Sequence, residues 1–156
     1  MAHVLKPPAA LDGCAAPSVF LAGSIEMGTA EQWQARAERA LSDLDDVYML
    51  NPRRDDWDPS WVQSMSNELF CEQVEWELSG LERADVVAVY FAPDTRAPVT
   101  LLELGLFANS GKLVVLCPDG YWRKGNVDIV CRRYDIERVD DFDALMRAIR
   151  RRLAGC

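Results

Sequence analysis

Val86-Val87-Ala88-Val89-Tyr90-Phe91 is a run of six residues without a charged side chain, entered from Arg83-Ala84-Asp85 and left through Ala92-Pro93. Apolar residues at consecutive rather than alternate positions imply a strand covered on both faces, as in a parallel sheet packed by helices. Pro93 cannot donate to a strand ladder and ends the run. Outward from it, Ser18-Val19-Phe20-Leu21-Ala22 closes on Gly23-Ser24, and Lys112 to Cys117 closes on Pro118-Asp119-Gly120. Val47-Tyr48-Met49-Leu50, broken by Asn51-Pro52, reads as a further strand.

Helical patterns separate these runs. Thr29 with Gln32 three residues on forms a capping-box pattern ahead of Trp33, Ala37, Ala40 and Leu41. Asn67 stands before a helix whose apolar positions Phe70, Val74, Leu78 and Leu81 keep 3.6-residue spacing, with a stop near Gly80 to Ala84. Pro98 suits the first position of a helix running to about Ser110, with Gly111 as its cap. A short segment around Val127 to Cys131, a strand near Tyr134 to Ile136 and a final helix from about Asp140 to Leu153 follow. Strands alternating with helices predict a single-domain α/β fold: a doubly wound, flavodoxin/Rossmann-like, mostly parallel sheet of about five strands. Residues 1–17 contain three prolines and no period, so they read as a flexible N-terminal arm before a domain spanning 18–156.

A chain of 156 residues buries roughly 70% of its unfolded surface, enough for a core without metal or disulfide staples. Seventeen Lys and Arg against 25 Asp and Glu give a net charge of −8, opposite to the balance of a duplex nucleic-acid binder. The five cysteines are widely spaced and form no CxxC pair, which favours free thiols. No apolar span reaches 18 residues and no leader-like N-terminal pattern is present, so a cytoplasmic, membrane-free protein is expected. His3 is the only histidine, which disfavours a histidine base, a catalytic triad or a zinc site; no metal or cofactor is expected.

In a doubly wound sheet, ligands bind beyond the carboxyl ends of the strands. Four segments lie there: Gly23 to Gly28, Asn51 to Trp57, Ala92 to Glu103 and Pro118 to Asn126. Ala97 to Gly111 contains a single charged residue, Glu103, among Leu101, Leu102, Leu104, Leu106 and Phe107. A helix apolar nearly all round is expected to be buried, so that carboxylate is either desolvated for function or reaches solvent or an Arg through a packing gap. Glu77 continues the stripe of Phe70, Val74, Leu78 and Leu81, pointing toward the sheet or snorkelling outward. Paired carboxylates without histidine or metal suit glycosyl chemistry, in which one attacks the anomeric carbon and another manages protons. The Gly23-Ser24-Ile25-Glu26-Met27-Gly28 turn offers main-chain N–H groups and a hydroxyl for an anion or a sugar, or is a plain tight turn. It lacks the full dinucleotide fingerprint.

Phe20-Leu21-Ala22-Gly23-Ser24-Ile25, Arg83-Ala84-Asp85-Val86 through Pro93-Asp94, and Leu102-Glu103-Leu104-Gly105, in that order, resemble the nucleoside 2-deoxyribosyltransferase family with its nucleotide N-hydrolase relatives. The resemblance covers roughly Val19 to Asn126. It implies that Glu103 is the nucleophile that forms a glycosyl-enzyme, released by a second nucleobase or by water with retention. It assigns Glu77, where the family usually has Asp, to the acidic pocket. It also assigns Asn126 to the sugar hydroxyls of a partner's site, hence a homodimer or dimer-based oligomer acting on a nucleoside or nucleotide and a free base. Phe20, a candidate substrate contact, stands where the family often has Tyr, and Ala97 where studied transferases carry the Asp that handles the leaving base. Asp56 or Asp94 would then deliver the proton. Asn51 heads the Asn51-Pro52-Arg53-Arg54-Asp55-Asp56-Trp57 loop, in which Arg53 or Arg54 either holds a 5′-phosphate or pairs with the neighbouring Asp residues. Trp57 either stacks on a base or anchors the loop.

Overall fold

The computed structural model describes residues 1–25 and 31–156. Its elements in chain order are β1 (His3–Leu5), β2 (Ser18–Gly23), α1 (Trp33–Ala40), β3 (Tyr48–Leu50), α2 (Glu68–Arg83), β4 (Val86–Tyr90), α3 (Pro98–Phe107), β5 (Leu113–Leu116), α4 (Lys124–Arg133), β6 (Glu137–Val139) and α5 (Phe142–Leu153). The six strands form one sheet in the order β1-β3-β2-β4-β5-β6, every neighbouring pair parallel. The expectation of a doubly wound parallel sheet holds, with six strands rather than about five.

Strand residues alternate between two cores. Phe20, Ala22, Val87, Val89 and Val115 pack under α2, α3 and α4 with Trp76, Leu81, Leu104, Val127 and Cys131. Val19, Leu21, Val86, Ala88 and Val114 pack under α1 and α5 with Trp33, Ala37, Leu145 and Ile149. Both sides of β2, β4 and β5 are therefore apolar, the reason these strands are uninterrupted hydrophobic runs. The chain leaves β2 toward β3 on one side and returns to β4 on the other, so the winding reverses between β2 and β4. The carboxyl ends of these two strands form the crevice where such sheets hold ligands.

Three expectations are corrected. The N-terminal segment expected to be an arm supplies β1, paired with β3, while Leu11 is buried and the Trp76 indole donates to the Ala9 carbonyl at 2.8 Å. Val127 to Cys131 belongs to α4, and the last strand lies at Glu137–Val139 rather than near Tyr134 to Ile136. Val127 and Cys131, four apart, both turn inward, which is helical spacing. Finally, α3 is not buried all round: Val99, Leu102 and Leu106 are 54%, 61% and 57% exposed. The Thr29 cap and residues Glu26 to Gly28 of the first turn lie outside the described residues. Among the described residues no helix is long and apolar enough to cross a membrane.

Candidate active site

The crevice begins at the end of β2. A Cβ at Gly23 would lie 2.5 Å from the Tyr90 carbonyl oxygen and 2.6 Å from the Trp33 ring, so this glycine permits Trp33 to close against β2 and β4. Ser24 next to it is buried and bonded within the protein. Its N–H donates to the Tyr90 carbonyl at 3.1 Å, and its Oγ accepts from the Ala92 N–H at 3.0 Å and shares a 2.8 Å hydrogen bond with the Thr95 hydroxyl. The loop after β2 is thereby latched to the loop after β4. Phe20, expected to touch substrate, has no exposed surface; it packs against Trp76 and leaves no room for a Cβ at Gly80 of α2. It supports the floor of the crevice from the core.

Two carboxyls enter from the helices. Asn67 caps α2, accepting from the Leu69 and Phe70 N–H groups, and the helix runs sixteen residues across the sheet. Its buried residues are Gln73, Trp76, Gly80 and Leu81; of the Phe70, Val74, Leu78 and Leu81 stripe that the sequence suggests, Leu81 is fully buried and the other three are half-buried. Glu77 lies on the boundary of this face, partly buried. Burial raises its carboxyl to about 7, against the opposing effect of a hydrogen bond from Gln73. Gln73 Nε2 donates to Glu77 Oε1 at 2.7 Å and to the Pro52 carbonyl, just past β3, at 2.9 Å.

Glu103 comes from the second turn of α3. That helix starts at Ala97, which is buried and left-handed at φ 45°, followed by Pro98. Left-handed backbone is strained for a residue with a Cβ. Glu103 is partly buried, and its Oε2 is buried with no hydrogen-bond partner among the described residues. Burial, with the charge of Glu77 as second cause, pushes its carboxyl up to about 8. Each acid thus opposes the other's ionisation, and near neutral pH the pair retains protons that free glutamates would release.

The other predicted residues divide. Asp56 is exposed, and the Arg54 guanidinium bonded to it at 2.7 Å holds its carboxyl below the usual range. It is ionised at neutral pH and unsuited to protonating a leaving base. Asp94 is exposed in the turn after β4. Arg54 also donates to Glu72 at 2.9 Å and lies over Trp61, its side chain nearly buried, so pairing is its observed role. Arg53 donates to the Glu31 carbonyl at 3.3 Å and to Gln34 Oε1 at 3.4 Å. Asn51 is occupied within the protein: its Nδ2 donates to Glu38 of α1 at 2.5 Å and its Oδ1 accepts from the Arg53 N–H at 2.9 Å. Trp57 meets Trp61 edge-on with ring centroids 5.0 Å apart, and its indole N–H is buried without a partner among the described residues. Asn126 is exposed in the first turn of α4. Among the described residues no three His, Cys, Asp or Glu side chains gather as a metal site. Gln73 is the site residue that sequence reasoning missed.

A family model described as nucleoside 2-deoxyribosyltransferase-like matches residues 16–121, which contain β2, α1, β3, α2, β4, α3 and β5. Among solved structures, a conserved protein from Enterococcus faecalis V583 superposes with a TM-score of 0.63 at 13% identity, covering 88% of this chain and 99% of that one. That likeness shows the fold. No curated protein matches the chain. With both candidate carboxyls inside the matched segment, the chain belongs to the nucleoside 2-deoxyribosyltransferase-like family.

Proposed function

We propose that this protein is a nucleoside 2-deoxyribosyltransferase that exchanges nucleobases on 2′-deoxyribonucleosides through a covalent intermediate on Glu103. The observation that carries this reading is the partly buried Glu103 carboxyl, with an unpartnered Oε2, in electrostatic contact with Glu77 from a different helix. The reactive form is the singly ionised pair, with its one proton on Glu77 and Glu103 as the carboxylate; in the first step a Glu103 oxygen forms a bond to C1′ while the C1′–N bond breaks. The base leaves with that electron pair and takes a proton from Glu77. In the second step the nitrogen of another base attacks C1′, displaces the Glu103 carboxylate and returns a proton to Glu77. Two displacements give retention. Glu77 replaces Asp56 and Asp94 as proton donor because burial keeps it protonated into the neutral range, whereas Asp56 is ionised there.

Incubation with thymidine and adenine, followed by chromatography, is expected to give deoxyadenosine with wild-type protein and none with Glu103→Gln. An active Glu103→Gln variant overturns the nucleophile. Free base without exchange identifies the second reading, an N-glycosidase in which water resolves the same intermediate. Binding without either product identifies a nucleotide-binding module.

Two further roles follow from the placement of side chains. Arg54 pairs with Asp56 and Glu72, so Arg53, just past β3, is the candidate for a substrate 5′-phosphate. Arg53→Ala is expected to penalise a nucleoside 5′-monophosphate more than the nucleoside; equal effects reject this role. The exposed Asn126 and the apolar stripe Val99, Leu102 and Leu106 support a homodimer in which Asn126 reaches the partner's sugar site. Activity per protomer should then fall on dilution, and full activity in a sedimenting monomer would reject the shared site.

A further inference from the structure

We propose that Gln73 is a positioning residue for the glycosyl chemistry: its amide ties the Glu77 carboxyl to the end of β3 and decides which oxygen of that carboxyl carries the transferable proton. The inference rests on the function just proposed for the pair, but its structural basis is separate. Gln73 is 5% exposed, on the inward face of α2 one turn before Glu77. Its orientation follows from its partners. The Pro52 carbonyl, 2.9 Å away, only accepts hydrogen bonds, so the group facing it is the NH2 and not the oxygen. The same nitrogen uses its second hydrogen on Glu77 Oε1 at 2.7 Å. With Oε1 engaged as an acceptor, a proton carried by Glu77 resides on Oε2, the oxygen directed away from Gln73.

Gln73 Oε1 is itself buried with no partner among the described residues. Leaving a buried acceptor unbonded is unfavourable, and an apolar side chain would have filled the α2 face without it. The amide makes sense at this position as a two-hydrogen clamp between a carbonyl and a carboxyl. Among the described residues no other side chain donates to Glu77, so the clamp is the link between the candidate acid and the loop after β3.

The test uses Gln73→Leu and Gln73→Glu in the full chain. In Gln73→Leu, carbon-13 NMR titration of the Glu77 carboxyl should show its midpoint moved upward, because the bond that favours the ionised form is gone. With a substrate that wild type turns over, kcat should fall by about 10-fold to 100-fold with a smaller change in KM. The alkaline limb of the rate profile should move up with the Glu77 midpoint. Gln73→Glu, a carboxyl of nearly the same shape, covers the case in which Gln73→Leu does not fold. Its protonated form has one hydrogen to donate to Glu77, so activity should recover toward acid pH and collapse where both carboxyls ionise. An unmoved Glu77 midpoint, or an unchanged kcat and pH profile in a folded variant, overturns the inference. If wild type turns over no nucleoside, the proposed function fails, while the NMR titration still decides whether Gln73 governs Glu77.

Discussion

A methyl group at position 23 would meet a backbone carbonyl at 2.5 Å and an indole ring at 2.6 Å, and neither is the free end of a flexible chain. Gly23→Ala should therefore lose about 1–3 kcal/mol of stability in urea unfolding, as overpacked sites do. An unaltered midpoint would show that Trp33 can retreat. At this scale the sequence was a good guide where chemistry is unusual and a poor one where it is ordinary. Glu103 stood out as the single charge in a long apolar segment. Gln73 did not, because an amide and a glycine on the inward face of α2 break the apolar period, and of the stripe read from Phe70, Val74, Leu78 and Leu81 only Leu81 is fully buried. The same polar interruption that hid the face also marks where the site is. Phe20 shows the converse: position along the chain puts it near a ligand crevice, while alternation along β2 points its ring into the core.

Elements with internal signals were legible, and elements created by pairing were not. The α2 cap was readable at Asn67, whose Oδ1 accepts at 3.1 Å and 3.2 Å from the Leu69 and Phe70 N–H groups. Asn67→Ala should cost about 1 kcal/mol, read as a lower thermal midpoint, and it should not change the pH profile of turnover. β1 carries no such signal. His3–Leu5 precedes two prolines and becomes a strand because β3 offers it a ladder. α4 was obscured by the brevity of its apolar positions, which in a short window fit strand or helix. For α3, composition predicted burial on all sides, but the fold supplies neighbours for only one. Leu102→Glu on its exposed side should lower self-association in sedimentation while leaving the fold intact; unchanged association would place any dimer contact elsewhere.

The buried acids influence the whole molecule. Glu77 and Glu103 hold protons up to about 7 and about 8, whereas the unfolded chain releases them near 4.5. Unfolding between these values releases protons, so stability is greatest below about 4.5 as far as this pair is concerned and declines as pH rises toward 8. The decline should amount to several kcal/mol, and Glu103→Gln should flatten it while raising stability at pH 8. Equal pH dependence in the two proteins would show that the carboxyl is solvated. Turnover should follow a bell-shaped pH profile whose limbs belong to the pair jointly. The sheet that carries these groups is bounded by β1 on one side and β6 on the other, each three residues long. Its long hydrophobic strands are all interior. A rim this short gives another chain little ladder on which to template itself, so amyloid-type growth has to start from unfolded molecules in which Val86 to Phe91 is bare. Light scattering during refolding should accordingly rise with chain concentration, while solutions of the folded protein stay clear.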